Sequence, residues 1–387
     1  MHRSIAGCGP LLLLRYAVSG SYCVILGGVM SKRLTSKERS RMAFAHQEPD
    51  RVPVDYFSNP GIDARLKAHF GLGVNDDEGL RQALGVDFRY VCAAYSGPKL
   101  HPDVPGRTID EWGIHRRWVE HDSGGYWDYT DFPLKDVTLE RVETWPLPSP
   151  DAFDYSRIHS FCEQNREYCV VAGSAGVGDI INSTGMLRTM QQVMFDLICD
   201  DPVFLRYVDR KLAVVLEVTR RILEAGRGGI DMLYMGEDLG TQIGPLISLK
   251  LFRKHIRPRL QPFVDLGKTY SIPVMFHSCG SSSWAFEDFI EMGISVVDTL
   301  QPEARDMAPH LLKGRFGDRL AFHGSISTGG PVAFGSVEDT IANVRQVLEV
   351  MMPGGGYALS PSHQLQDNSP TQNVVAMYEA ARVYGAY

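Results

Sequence analysis

At 387 residues, 44% of them apolar and 22% charged, the chain has material for one large globular domain or two small ones. A formal net charge of −7 leaves no basic surplus to neutralise phosphates, which speaks against a nucleic-acid partner. The seven cysteines are scattered and include no CxxC pair, so neither a disulfide framework nor a zinc ribbon is indicated, and free thiols suit a reducing cytoplasm.

Pro10 to Leu14 and Val18 to Val29 are apolar but interrupted by Arg15, leaving no run long enough to span a bilayer. His2 and Arg3 precede an apolar stretch as in a secretory leader, yet Ser31-Lys-Arg is a poor cleavage context. Residues 1–29 are therefore expected to be a non-native or disordered extension, with 30–387 as the folded unit. Thr35 and Glu38 then form a capping-box pattern, heading a helix expected to run to about Gln47.

Beyond it, short apolar runs alternate with amphipathic stretches. Eight strands are predicted: Val52–Tyr56, Phe88–Ala93, Val170–Ser174, Met232–Glu237, Val274–Cys279, Val296–Leu300, Leu320–Ser325 and Tyr357–Ser360. Helices are predicted over Met186–Ile198, Val203–Ala225, Leu249–Tyr270, Trp284–Met292, Val337–Met352 and Thr371–Tyr384, the last opening on Ser369 as N-cap and Pro370 as first helical residue. The interval from Ala94 to Tyr168, rich in tryptophan and glycine with alternating prolines at 146, 148 and 150, reads as a β-rich insertion after the second strand. Alternating β and α elements imply parallel strands covered by helices. The fold class expected is α/β, a single-domain (β/α)₈ TIM barrel, because Ser174, Glu237, His277, Cys279, Gln301, Ser325 and His363 all fall at or just after strand ends. In a barrel those ends converge on one face.

The strongest chemical signal is Val274-Met-Phe-His-Ser-Cys-Gly280. Residues two apart on a strand share a face, so His277 and Cys279 project together, an imidazole and a thiolate suited to zinc. His363, after the last strand, is the expected third ligand, leaving one coordination position open. The competing reading has His277 satisfying a core hydrogen bond and Cys279 packing as a small hydrophobe, and the spacing alone does not separate the two. Glu237 is the expected general base or further ligand, while its neighbour Asp238 reads better as a helix cap. Ser174, Gln301 and Ser325 are expected to touch substrate. Gly173-Ser-Ala-Gly-Val-Gly178 is only a weak phosphate-loop signal, since no GK[ST] follows it.

Taken together, Glu48-Pro-Asp-Arg-Val-Pro-Val-Asp55, Gly236-Glu-Asp-Leu-Gly-Thr-Gln242, His277-Ser-Cys-Gly280, Gly354-Gly-Gly-Tyr-Ala-Leu-Ser-Pro361 and Ser369-Pro-Thr-Gln-Asn373 resemble the uroporphyrinogen decarboxylase family, from about Thr35 to the C-terminus. That superfamily contains decarboxylases and zinc-dependent corrinoid methyltransferases. The decarboxylase branch carries an arginine-rich motif that grips the substrate's carboxylates. Here Val52-Pro-Val-Asp-Tyr-Phe-Ser-Asn59 has no arginine, which argues against decarboxylation. The methyltransferase branch is marked by His-x-Cys and a later cysteine; His277 and Cys279 match, and His363 stands in the cysteine's place. The resemblance therefore implies zinc on His277, Cys279 and His363, with methyl transfer between a small methylated substrate or thiol and a corrinoid (cobalamin) on a partner protein. It also admits a homodimer. The alternatives are a tetrapyrrole decarboxylase and a non-catalytic corrinoid- or tetrapyrrole-binding barrel.

Overall fold

Thr35 opens the first helix, Ser36–Phe44, through a complete capping box with Glu38. The computed structural model describes residues 34–121 and 124–387, so the expected extension 1–29 lies outside the described residues.

Seven parallel strands form the main sheet in sequence order: β1 Phe88–Val91, β2 Cys169–Gly173, β3 Met232–Gly236, β4 Val274–His277, β5 Val296–Thr299, β6 Ala321–Ile326 and β7 Tyr357–Pro361. The sheet curls enough for alternate residues of every strand to meet in one cluster, including Phe88, Val171, Met232, Met275, Val296, Ala321 and Ala358. A second, larger cluster lies between the outer face of the sheet and the helices, where Phe276 meets Phe289 with ring centroids 4.6 Å apart. This is an α/β, TIM-barrel-like architecture.

The expected first strand, Val52–Tyr56, is reduced to a single parallel bridge between Val54 and Leu359. Its neighbours are strand-like on both sides: Asp55 N–H donates to the Leu359 carbonyl, and Asp87 N–H donates to the Val54 carbonyl. Two local features break the ladder. Pro53 has no N–H to give, and the Val54 N–H goes to the Asp87 carboxylate at 2.8 Å. Asp87 also accepts from Arg51 and Arg39, so the arginine of the Glu48–Asp55 motif is held in a structural ion pair.

Other predicted elements shift. The helix expected over Met186–Ile198 is two helices, Ile181–Arg188 and Met190–Cys199, divided at Thr189, whose φ is 70° and whose side chain caps the second. The last helix starts at Thr371 with Pro370 itself extended as the cap, while the Ser369 hydroxyl is buried without a partner. Between β1 and β2, a short antiparallel pair joins Ala94–Tyr95 to Phe153–Asp154. A three-stranded antiparallel sheet links Thr108–Ile109, His115–His121 and Gly124–Thr130. Among the described residues no helix is long and apolar enough to cross a membrane.

Candidate functional site

His277 ends β4 opposite Gly236 of β3 and Asp298 of β5, and Asp298 lies opposite His323 of β6. Residues in register on neighbouring parallel strands point to one face, so His277, Asp298 and His323 form a row. Gly236 leaves room for it. A Cβ there would stand 2.7 Å from the His277 Cβ and 2.6 Å from the Ala175 carbonyl oxygen.

Asp298 is the centre of that row. Its Oδ2 lies 2.7 Å from His277 Nδ1 and accepts the Tyr234 hydroxyl, and its Oδ1 lies 2.6 Å from His323 Nδ1. His323 continues through Nε2 to Asp55 Oδ2 at 3.1 Å, where the Tyr90 hydroxyl also donates. Burial would push the Asp298 carboxyl up, but hydrogen bonds from His277 and His323, with their charges, hold it far below the usual carboxylate range. For His323 burial pulls down, and Asp298 and Asp55 outweigh it, raising the imidazole to about 9. The same opposition lifts His277 well above its ordinary value, with Asp298 and Cys279 as the partners.

Asp298 and His323 were missed from sequence. Their signal was present: an acid in Val296-Val-Asp-Thr and a histidine in Ala321-Phe-His-Gly, both inside apolar strands where a polar group needs a partner.

On its other side His277 meets two possible donors to a metal. Its Nε2 lies 3.3 Å from Cys279 Sγ and 3.6 Å from Asp238 Oδ1. One ligand atom from each of the three residues falls within 4.8 Å of the other two. A tetrahedral ion with bonds of about 2.0–2.1 Å to N or O and 2.3 Å to S holds its ligand atoms roughly 3.3–3.6 Å apart. The donor types suit a zinc-sized ion, and the two distances from His277 Nε2 fall in that range. The His277–Asp298 contact puts a carboxylate behind the imidazole, which would keep a proton on Nδ1 and direct Nε2 to an ion if one were bound. Asp238 is itself held, accepting the Cys279 N–H on Oδ1 and the Asn182 amide on Oδ2, each at 2.8 Å.

Asp238, rather than Glu237, stands beside His277. Tyr234, Gly236 and Asp238 share one face by alternation, and Glu237 points the other way. Glu237 is 1% exposed, and its carboxylate accepts the N–H groups of Ile180 and Ile181 at the start of the helix Ile181–Arg188. Burial, then the charge of Asp179, pushes that carboxyl well above its ordinary value.

His363 is not brought into the donor cluster. It is exposed, with Nδ1 3.3 Å from the Gln364 carbonyl. It nevertheless lines a cavity of about 380 Å³ together with Cys279 and Gln301. Gln301 pairs its amide reciprocally with that of Gln242. Ser325 does not face this space: at φ 70° it turns its fully buried hydroxyl toward the Leu300 carbonyl. Ser174 accepts the Gly176 N–H and lines a separate, more apolar cavity. The space in front of His277 and Asp238 measures about 550 Å³ and is bounded by Tyr129, Phe132, Asp179, Asn182 and Met186. No lysine or arginine side chain lines it among the described residues.

The Uroporphyrinogen decarboxylase (URO-D) family model matches residues 182–384. No curated protein matches the chain by sequence. Among solved structures, a methyltransferase from Methanosarcina mazei superposes with a TM-score of 0.62 at 17% identity, covering 91% of this chain and 100% of its own. At that identity the likeness is one of fold. A 3-keto-D-glucoside 4-epimerase from E. coli covers 59% of this chain and 87% of its own at 14% identity, and its TM-score of 0.37 carries no argument.

Proposed function

This chain belongs to the uroporphyrinogen decarboxylase family, and on that premise we propose that it is a zinc-dependent methyltransferase, moving a methyl group between a small methylated substrate or thiol and a corrinoid on a partner protein. The observation that carries this reading is the Asp238–His277–Cys279 donor set with Asp298 behind the imidazole. A zinc ion held there would stabilise a substrate thiol as thiolate or draw electron density from a methyl-ether oxygen.

The chain's own groups prepare that chemistry. Asp298 fixes the His277 ring and its tautomer, and Tyr234 in turn holds Asp298. The backbone N–H of Cys279 and the Asn182 amide orient Asp238. Tyr129, Phe132 and Met186 offer apolar walls to the reacting groups. A corrinoid on the partner protein would supply or take up the methyl group; in the thiol direction the substrate S–H proton would leave to solvent, and in ether demethylation the alkoxide would take up a proton. The same residues serve both.

A porphyrinogen polycarboxylate is a poor substrate for this space. Asp179 and Asp238 line it, no lysine or arginine does among the described residues, and Arg51 is engaged by Asp87. Methyl transfer to free cob(I)alamin, combined with metal analysis of wild type and Cys279→Ala, tests the proposal. Wild-type protein supplied with zinc that binds none would overturn it, as would coproporphyrinogen appearing at an enzymatic rate.

A further inference from the structure

A second cavity, of about 320 Å³, lies between the end of β2 and the helix Pro202–Ala225. Tyr207, Val215, Val218 and Ile222 line it from one stripe of that helix, and Trp112 and Phe153 close it from the interval between β1 and β2. Cavities of about 150 Å³ admit benzene, so this one takes a ring with substituents. No acidic side chain lines it among the described residues, but one cation does, Lys211.

Lys211 sits in that apolar stripe, buried, with Nζ donating to the Asp179 carbonyl at 2.9 Å and to the Ser183 hydroxyl. Both are neutral acceptors. Burial pulls the ammonium below its ordinary value, while Asp179, Glu237 and Asp110 act on it through charge alone, without a hydrogen bond. An ammonium has three donors, and a buried one without a hydrogen-bonded carboxylate is costly. Tyr207, fully buried beside it, is kept a neutral phenol by burial and so remains a donor.

We propose that this cavity is a binding site for a small apolar monocarboxylate, its carboxylate meeting Lys211 and Tyr207 and its body packing against Val215, Val218, Ile222 and Trp112. The anion completes the partners that the ammonium lacks, and the walls remove the apolar body from water. The site is distinct from the donor cluster, from which the loop after β2 divides it; Gly176 of that loop lines both cavities. It does not depend on methyl transfer.

Benzoate and its neutral counterpart benzamide, titrated calorimetrically into the full chain with Trp112 fluorescence followed in parallel, test this. Wild type should bind benzoate about tenfold or more tightly than benzamide. Lys211→Met should cancel that preference, and Val215→Phe, which fills the cavity but leaves the ammonium, should abolish both. Cys279→Ala should leave benzoate affinity unchanged. Absence of saturable benzoate binding would overturn the proposal. So would an affinity that falls with Cys279→Ala and survives Val215→Phe, because the anion would then sit on the metal.

Discussion

Asp298→Asn is the sharpest perturbation of the proposed metal site, because it keeps the shape of the side chain and removes its charge. In the wild-type protein the two oxygens are divided, Oδ2 serving His277 and Tyr234 and Oδ1 serving His323. An asparagine can present its oxygen to only one imidazole. If the oxygen faces His277, the proton stays on Nδ1 and only the charge behind the ring is lost. If the amino group faces His277, it donates to Nδ1 and drives the ring proton onto Nε2, the atom 3.3 Å from Cys279 Sγ. Partners behind a ligating histidine are typically worth about 10- to 100-fold in metal affinity, or roughly 1.4–2.7 kcal/mol. The first arrangement should fall near the lower end of that range and the second near the upper. Zinc affinity measured by competition with a chelating dye, with far-UV circular dichroism to confirm folding, reads the effect. A folded Asp298→Asn protein that binds zinc as tightly as wild type would refute the role of Asp298 in setting the imidazole.

Asp238→Ala should lower zinc affinity at least as much as Asp298→Asn, whereas His363→Ala should leave zinc stoichiometry intact, both checked by metal analysis after dialysis; the reverse pattern would restore His363 as the third ligand. Glu237→Ala should cost about 1–3 kcal/mol in urea denaturation by orphaning the Ile180 and Ile181 N–H groups, with zinc binding preserved; loss of zinc without loss of stability would contradict that assignment. His323 should make stability fall as pH rises. Its folded value near 9 exceeds the ordinary 6.5, so its contribution is complete below about 6.5 and is lost as pH climbs through about 9, an effect on the order of 3 kcal/mol. Urea midpoints across that window should decline in wild type and flatten in His323→Asn; equal slopes would argue against a charged imidazole there.

Local pattern alone determined a good deal about this protein. Seven apolar runs are strands within a residue or two of their expected bounds, and the helix Thr371–Tyr384 matches at both ends, because periodicity and flanking turns are properties of adjacent residues. His277 and Cys279 were legible for the same reason: their two-residue spacing at a strand end is local. What only the tertiary structure decided is which groups from distant strands share that space. Asp298 stands 21 residues from His277 along the chain and His323 25 from Asp298, and only strand register brings them together. Which of Glu237 and Asp238 stands beside His277 is a matter of parity, fixed by the register that sets Gly236 opposite His277. Val52–Tyr56 read as a full strand because its composition is that of one, yet the Val54 N–H is claimed by Asp87, 33 residues away. His363 has the chemistry of a ligand, but its exposed side chain lines the cavity it shares with Cys279 without joining the Asp238–His277–Cys279 cluster. Residue type and spacing are written in the chain, whereas distance between remote residues exists only once the sheet has curled.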